Sequence, residues 1–186
     1  MGSSTAGLGS GGERTVERTP PGRAPKALAG FLGHWRGITR FAAGPWGPER
    51  AVDAEVTYTP VAGGSAVVQS YRHLEPDGTH FEGHGIFTVD PDHQDVFWYY
   101  VDNAGPALAA AARCTWQHGA LRVEREGGAG WTRHTLRVDG GVLTHVTELR
   151  TRGGKSAEQG AGMPDGTGSA YVPFLTSSFQ RADSSR

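Results

Sequence analysis

The sequence predicts an all-β protein: an antiparallel up-and-down β-barrel of about ten strands with one short N-terminal helix. Three observations carry this expectation. Apolar and polar residues alternate almost continuously after Gly33, which is the period of a half-buried strand. Turn-forming clusters punctuate the alternation at Ala62-Gly63-Gly64, Pro76-Asp77-Gly78, Asp90-Pro91-Asp92, His118-Gly119, 127–130 and Asp139-Gly140. Hairpin registers counted from neighbouring turns agree on which face is apolar, and a slip of one residue would reverse every face.

Residues 1–24 are rich in Gly, Ser, Thr and Pro, show no apolar periodicity, and are expected to be a disordered tail. Gly7-Leu8-Gly9-Ser10-Gly11-Gly12 fits GxGxxG there, but it follows no strand and opens no helix, so it is no dinucleotide fingerprint. Pro25 near the first turn and Gly33 beyond the last bracket a short helix over 25–32. Trp35, packed under that helix, would form a barrel floor. Strands are expected at 34–42, 52–59, 66–74, 80–89, 96–101, 111–117, 120–126, 131–138, 141–150 and 171–181. Residues 153–169 hold no strand pattern and read as one long mobile loop inside a single domain, 25–182.

A two-residue loop at Asp139-Gly140 sets Val138 opposite Gly141, Leu136 opposite Leu143 and His134 opposite His145. A two-residue loop at His118-Gly119 pairs Trp116 with Leu121 and Cys114 with Val123, and a loop at 127–130 pairs Val123 with His134 and Glu124 with Arg133. All three registers turn His134 inward and leave Arg113, Glu124 and Arg133 as a charge ladder outside. Upstream, a loop at Pro76 to Gly78 pairs Arg72 with Glu82 and His73 with Phe81, turning Gln69, Tyr71, His73, Phe81 and Phe87 inward. Phe87 opposite Phe97 would put Tyr99 above Gly85. Inward glycines at 83 and 85 leave room for a large side chain or a ligand. The expected ligand-binding residues are therefore Gln69, Tyr71, His73, Tyr99, Trp116, His134, His145 and Thr147, the apolar and polar mixture of small-molecule pockets.

His134 and His145 are the sharpest catalytic candidates, with Tyr99 beside them. They either contact a ligand and handle protons, or are core histidines satisfied by their neighbours. Two imidazoles alone do not make a structural zinc site. His80-x-Glu82-x-His84 shares one strand face, but the register points that face to solvent beside Arg72, so no metal is expected. Ser70 and Ser177 lack a Gly-x-Ser-x-Gly elbow, and Cys114 is expected to be buried and inert. The single cysteine excludes an intrachain disulfide. A net charge of -1 without a basic run argues against a nucleic-acid partner. No apolar run approaches the roughly 20 residues of a membrane span. Without a signal-peptide pattern the expected location is the cytoplasm. Basic residues are mostly arginine, with Lys26 and Lys155 as the lysines, which points to a GC-rich bacterial genome.

Leu32-Gly33-His34-Trp35-Arg36-Gly37, Gly83-His84-Gly85, and Trp98 and Asp102 in Trp98-Tyr99-Tyr100-Val101-Asp102 resemble an uncharacterised bacterial family grouped with the calycin-like barrels, across 31–181. The resemblance implies a lipocalin-like or fatty-acid-binding-protein-like barrel and brings no activity. The Gly-x-Trp-x-Gly element is also similar to the opening of nitrobindin-type haem barrels. Ile38-Thr39-Arg40-Phe41 then departs from their glycine pattern, and no late histidine stands in the last strand, so no cofactor is expected. The expected function is binding of a small, partly apolar molecule in the interior of a monomer or homodimer. The alternatives are a cofactor-free cyclase or isomerase using His134 and His145 as acid and base, a haem-binding barrel of nitrobindin type, and a partner-binding barrel with a filled interior.

Overall fold

The computed structural model describes residues 26–44, 47–90, 95–105, 110–127, 130–151 and 170–182; the expected tail at 1–24, the loop at 153–169 and Trp46 lie outside them. The chain forms ten antiparallel strands: β1 (Gly33–Phe41), β2 (Arg50–Val61), β3 (Ala66–Leu74), β4 (His80–Val89), β5 (Val96–Asp102), β6 (Ala112–Gln117), β7 (Ala120–Gly127), β8 (Gly130–Asp139), β9 (Val142–Thr151) and β10 (Val172–Arg181). Each pairs with its neighbours in sequence, and β10 pairs with β1, so the barrel is closed as expected. Every strand lies within two residues of its expected bounds.

The expected N-terminal helix is a 3-10 turn, Lys26–Phe31. It is held from below and from the side. The Trp35 indole is fully buried and donates from Nε1 to Phe31 O at 2.7 Å. Arg181, at the end of β10, donates to Leu32 O at 2.6 Å and Gly30 O at 3.0 Å, with its guanidinium 4.3 Å above the Trp35 ring. Gly33 turns the chain into β1 at φ 119, a left-handed region that disfavours other residues. Gly37 lies where β1 crosses β10, and a Cβ there would strike the Ser178 carbonyl and come within 2.7 Å of Phe179 Cα. The motif Gly33-x-Trp35-x-Gly37 is thus a floor plate with a glycine hinge on one side and a close strand crossing on the other.

The up-and-down order puts the 3-10 turn and the connections β2–β3, β4–β5, β6–β7 and β8–β9 at one end. There Leu28 and Phe31 close over Trp35, Tyr58, Val67, Phe87, Leu121, Leu136, Leu143 and Phe179. The opposite end, the mouth, carries the connections β1–β2, β3–β4, β5–β6, β7–β8 and β9–β10; Thr39, Tyr71 and His73 lie towards it, whereas Gln69, Trp98 and His145 lie nearer the closed ends of their strands.

Two registers differ from expectation. In β8–β9 the two-residue loop is Gly140-Gly141, at φ 55 and 79, because two glycines adopt the left-handed hairpin conformation without the steric cost that Asp139 would meet. His134 therefore faces Thr147, and Leu136 faces His145. The shift is two residues, so every face is preserved. In β4–β5 the shift is one residue: Phe87 faces Trp98 and not Phe97. This turns Tyr99 out of the barrel, opposite the exposed Ile86, and brings Trp98 and Tyr100 in. Trp116 also leaves the expected set. It ends β6 at the closed rim, 43% exposed, with its ring 6.2 Å from Phe31. The remaining registers match, including Arg72 with Glu82, Val123 with His134 and Glu124 with Arg133. The β5–β6 ladder is the shortest, with three pairs: Val96 with Cys114, Phe97 with Arg113, and Trp98 with Ala112.

Candidate functional site

Six of the eight expected binding residues face the interior: Gln69, Tyr71, His73, His134, His145 and Thr147. They fall into two groups. The first is a continuous chain at the mouth. Ser177 and Thr39 share a hydrogen bond of 2.8 Å, and the Tyr71 hydroxyl lies 3.0 Å from Thr39 Oγ1 and 2.9 Å from His73 Nδ1. His73 Nε2 donates to Glu75 at 3.1 Å, and Arg50 grips the Glu75 carboxylate from Nε and Nη2 at 3.0 and 2.8 Å. The Arg50 hydrogen bonds, reinforced by His73, hold the Glu75 carboxyl down at about 2. Burial pushes the Tyr71 phenol up to about 12. Each of these polar groups answers another, and Phe41 and Phe81 pack against the His73 ring. The chain is a brace.

The second group is not self-sufficient. His134 Nδ1 lies 3.1 Å from His145 Nε2, with Thr147 Oγ1 at 3.1 Å from the first and 3.5 Å from the second. The imidazoles meet across the diagonal of the β8–β9 ladder, not directly opposite. Burial drives both below the usual imidazole range, His145 to about 4, and His145 and Arg125 depress His134 further. Both are neutral at pH 7, so the couple is a donor and acceptor pair and holds no imidazolium to serve as a general acid. The Trp98 ring stands edge-on to His134 at 4.9 Å. Its Nε1 finds no partner among the described residues, and neither does Gln69 Oε1, although Gln69 Nε2 donates to Tyr58 at 3.1 Å. Both orphaned atoms crowd the face of Gly85. The inward glycines thus admit large side chains: a Cβ on Gly83 would strike the Tyr100 hydroxyl, and one on Gly85 the Trp98 indole nitrogen.

Three further residues join the group. Trp98 and Tyr100 were hidden by the one-residue parity of the β4–β5 connection. Arg125 was readable, since it lies two residues beyond the inward Val123, but Arg-Glu-Gly beside a turn resembles a solvated end. Its guanidinium carbon lies 5.5 Å from the Trp98 ring centroid and 5.7 Å from that of Tyr100, and Nη2 donates to Tyr100 O at 3.4 Å. Its Nε is buried without a partner among the described residues.

Elsewhere, polar and thiol side chains are accounted for locally. His84 faces outward, 3.2 Å from Ser70 Oγ, on a face where Glu55 also pairs with Arg72 and His34. Asn103 is a turn brace, donating to His80 O at 2.8 Å and accepting from the Glu82 amide at 3.1 Å. Cys114 is buried and its thiol is pushed up to about 12, which keeps it protonated. No group of three metal-ligating side chains occurs among the described residues. His73 has both ring nitrogens engaged, and the facing nitrogens of His134 and His145 answer each other.

Acid should act on the histidine pair before it reaches the brace. A lowered native pKa means that the unfolded chain binds the proton first. The contribution of His145 is therefore complete above about pH 6.5 and lost as pH falls towards 4, by roughly 2 kcal/mol after discounting its exposed edge. The Glu75 contribution persists to about pH 4.5 and disappears towards 2. Urea midpoints measured from pH 7 to 4.5 should fall for the native chain, less steeply for His145→Gln, and flatten when His134 is replaced by Gln as well. A midpoint constant over that range would contradict the burial of the pair.

Residues 20–118, more than half of the chain, match the family described as Protein of unknown function (DUF1579). The chain belongs to the DUF1579 family. The matched span covers the floor motif, Gly83, Gly85 and Trp98, while Arg125, His134 and His145 lie beyond it. The crystal structure of Rv2717c from M. tuberculosis is similar to this DUF1579 chain, with a TM-score of 0.59 and 16% identity, over 87% of this chain and 98% of that one. At that identity the likeness shows the barrel fold alone. No curated protein matches the chain. No helix among the described residues is long and apolar enough to cross a membrane.

Proposed function

We propose that this DUF1579 barrel binds a small, partly apolar molecule in its interior. The observation that carries the reading is the pair Trp98 Nε1 and Gln69 Oε1, a buried donor and a buried acceptor left without partners among the described residues beside Gly85. A buried polar group left unpaired costs roughly 1–3 kcal/mol, and a ligand that answers both recovers it. The surrounding surface has the composition of a binding site: aromatic rings, two neutral imidazoles and a few fixed polar groups. The closed up-and-down barrel supports a calycin-like grouping. We take 25–182 as one domain, acting in the cytoplasm as a monomer or homodimer.

Native mass spectrometry of the purified full chain should show a retained small organic molecule, without the mass of haem or a metal. His134→Ala and His145→Ala should each weaken its retention, non-additively, because contacting residues couple by roughly 0.5–3 kcal/mol. A bare mass, together with no thermal shift across a panel of small amphipathic molecules, would refute the reading.

A further inference from the structure

The proposed interior ligand has a charge that the barrel itself specifies. Arg125 is the inward cation of the second polar group. Burial disfavours its charged form, yet it forms no ion pair with a carboxylate among the described residues. Glu75 is committed to Arg50 and His73, and Glu124 to Arg133. Asp102 acts on Arg125 only at a distance, because its Oδ1 accepts from the Ala104 amide at 3.0 Å. The guanidinium rests against the rings of Trp98 and Tyr100, themselves 5.0 Å apart, with one long hydrogen bond and a buried Nε that has no partner among the described residues. A buried charge ordinarily requires an opposite charge and filled hydrogen-bonding positions.

Resting on the ligand-binding reading above, we propose that Arg125 receives the ionised carboxylate of a monoanionic ligand, whose apolar body lies along Trp98 and Tyr100. The planar fork of arginine matches the two oxygens of a carboxylate. The other polar groups nearby, His134, His145, Trp98 Nε1 and Gln69, are uncharged at pH 7 and supply no second cation. The site is therefore built for one negative charge, which favours a carboxylate over a phosphate dianion. A carbonyl or hydroxyl elsewhere on the ligand would meet Trp98 Nε1 and Gln69 Oε1.

The test compares 1-naphthoate with 1-naphthamide, which share one ring system and differ in charge, by titration calorimetry on the full chain. Wild type should bind 1-naphthoate at least tenfold more tightly than 1-naphthamide. Arg125→Gln should abolish that preference by weakening 1-naphthoate at least tenfold more than 1-naphthamide, and Arg125→Lys should restore part of it. The thermal midpoint of Arg125→Gln without ligand should stay within a few degrees of wild type, since the substitution removes a charge that lacks an ionic partner. Equal binding of the two probes to wild type would overturn the carboxylate assignment and leave the binding reading standing. A large fall in midpoint with the preference intact would overturn it as well, by making Arg125 a structural stitch to Tyr100. If neither probe binds and the native mass is bare, both readings fall.

Discussion

Gly37→Ala should disrupt the closure of the barrel, with a stability loss of about 3 kcal/mol or more in urea denaturation. The added Cβ would strike the Ser178 carbonyl and press on Phe179 Cα. These are backbone atoms of β10 in the pairing that joins the first strand to the last. A flexible side chain could swing aside, whereas a paired strand can yield only by breaking ladder bonds. Gly30→Ala is the control, because nothing lies within 4 Å of a Cβ there. Its midpoint should stay near that of wild type. A mild Gly37→Ala effect, comparable to that control, would mean that β1 and β10 adjust more freely than their spacing implies.

Gly85→Ala should damage the candidate site and the core together. A Cβ at this position would collide with Trp98 Nε1 and lie 2.6 Å from Gln69 Oε1. Overpacking of this kind costs typically 1–3 kcal/mol, and the upper part of that range applies where the displaced group is a fully buried indole. Trp98 moves only by disturbing Phe87, stacked at 5.7 Å, and His134 at 4.9 Å. The variant should therefore lose stability and show altered tryptophan fluorescence, and it should lose retained ligand even at temperatures where it stays folded. Ligand retention equal to wild type in the folded variant would separate Gly85 from the site.

The extent to which the interior was legible turns on parity. A register error of two residues, as in β8–β9, leaves His134 and His145 inside and merely converts an opposed pair into a diagonal one. An error of one residue, as in β4–β5, exchanges Tyr99 for Trp98 and Tyr100. Hairpins with two-residue turns announce their geometry through glycines, but the connection between Val89 and Val96 is longer and carries no such marker. Alternation alone could not arbitrate there either, because Phe97, Trp98, Tyr99 and Tyr100 are all aromatic and either face looks apolar. Trp116 was assigned to the right face but to the wrong depth, since a period of two says nothing about how far along the barrel a residue lies. The Tyr71, His73 and Glu75 brace needed Arg50 from another hairpin, a contact that no single turn predicts.

The three-rung ladder between β5 and β6 gives the closed barrel a preferred line of opening. Beyond Trp98, among the described residues, the β5 backbone has a ladder partner only on β4, apart from the Arg125 bond to Tyr100 O. Local openings draw on the segments with the fewest hydrogen bonds, so amide exchange should run fastest at Ala112 to Cys114 among the barrel rungs. When those rungs part, a cylinder without edges becomes a rolled sheet with two free edges, β5 and β6. Of the two, β5 carries the run Val96 to Val101, which is apolar and aromatic and bears no charge. Strand edges of that composition recruit other strands, so self-association on heating should begin along β5.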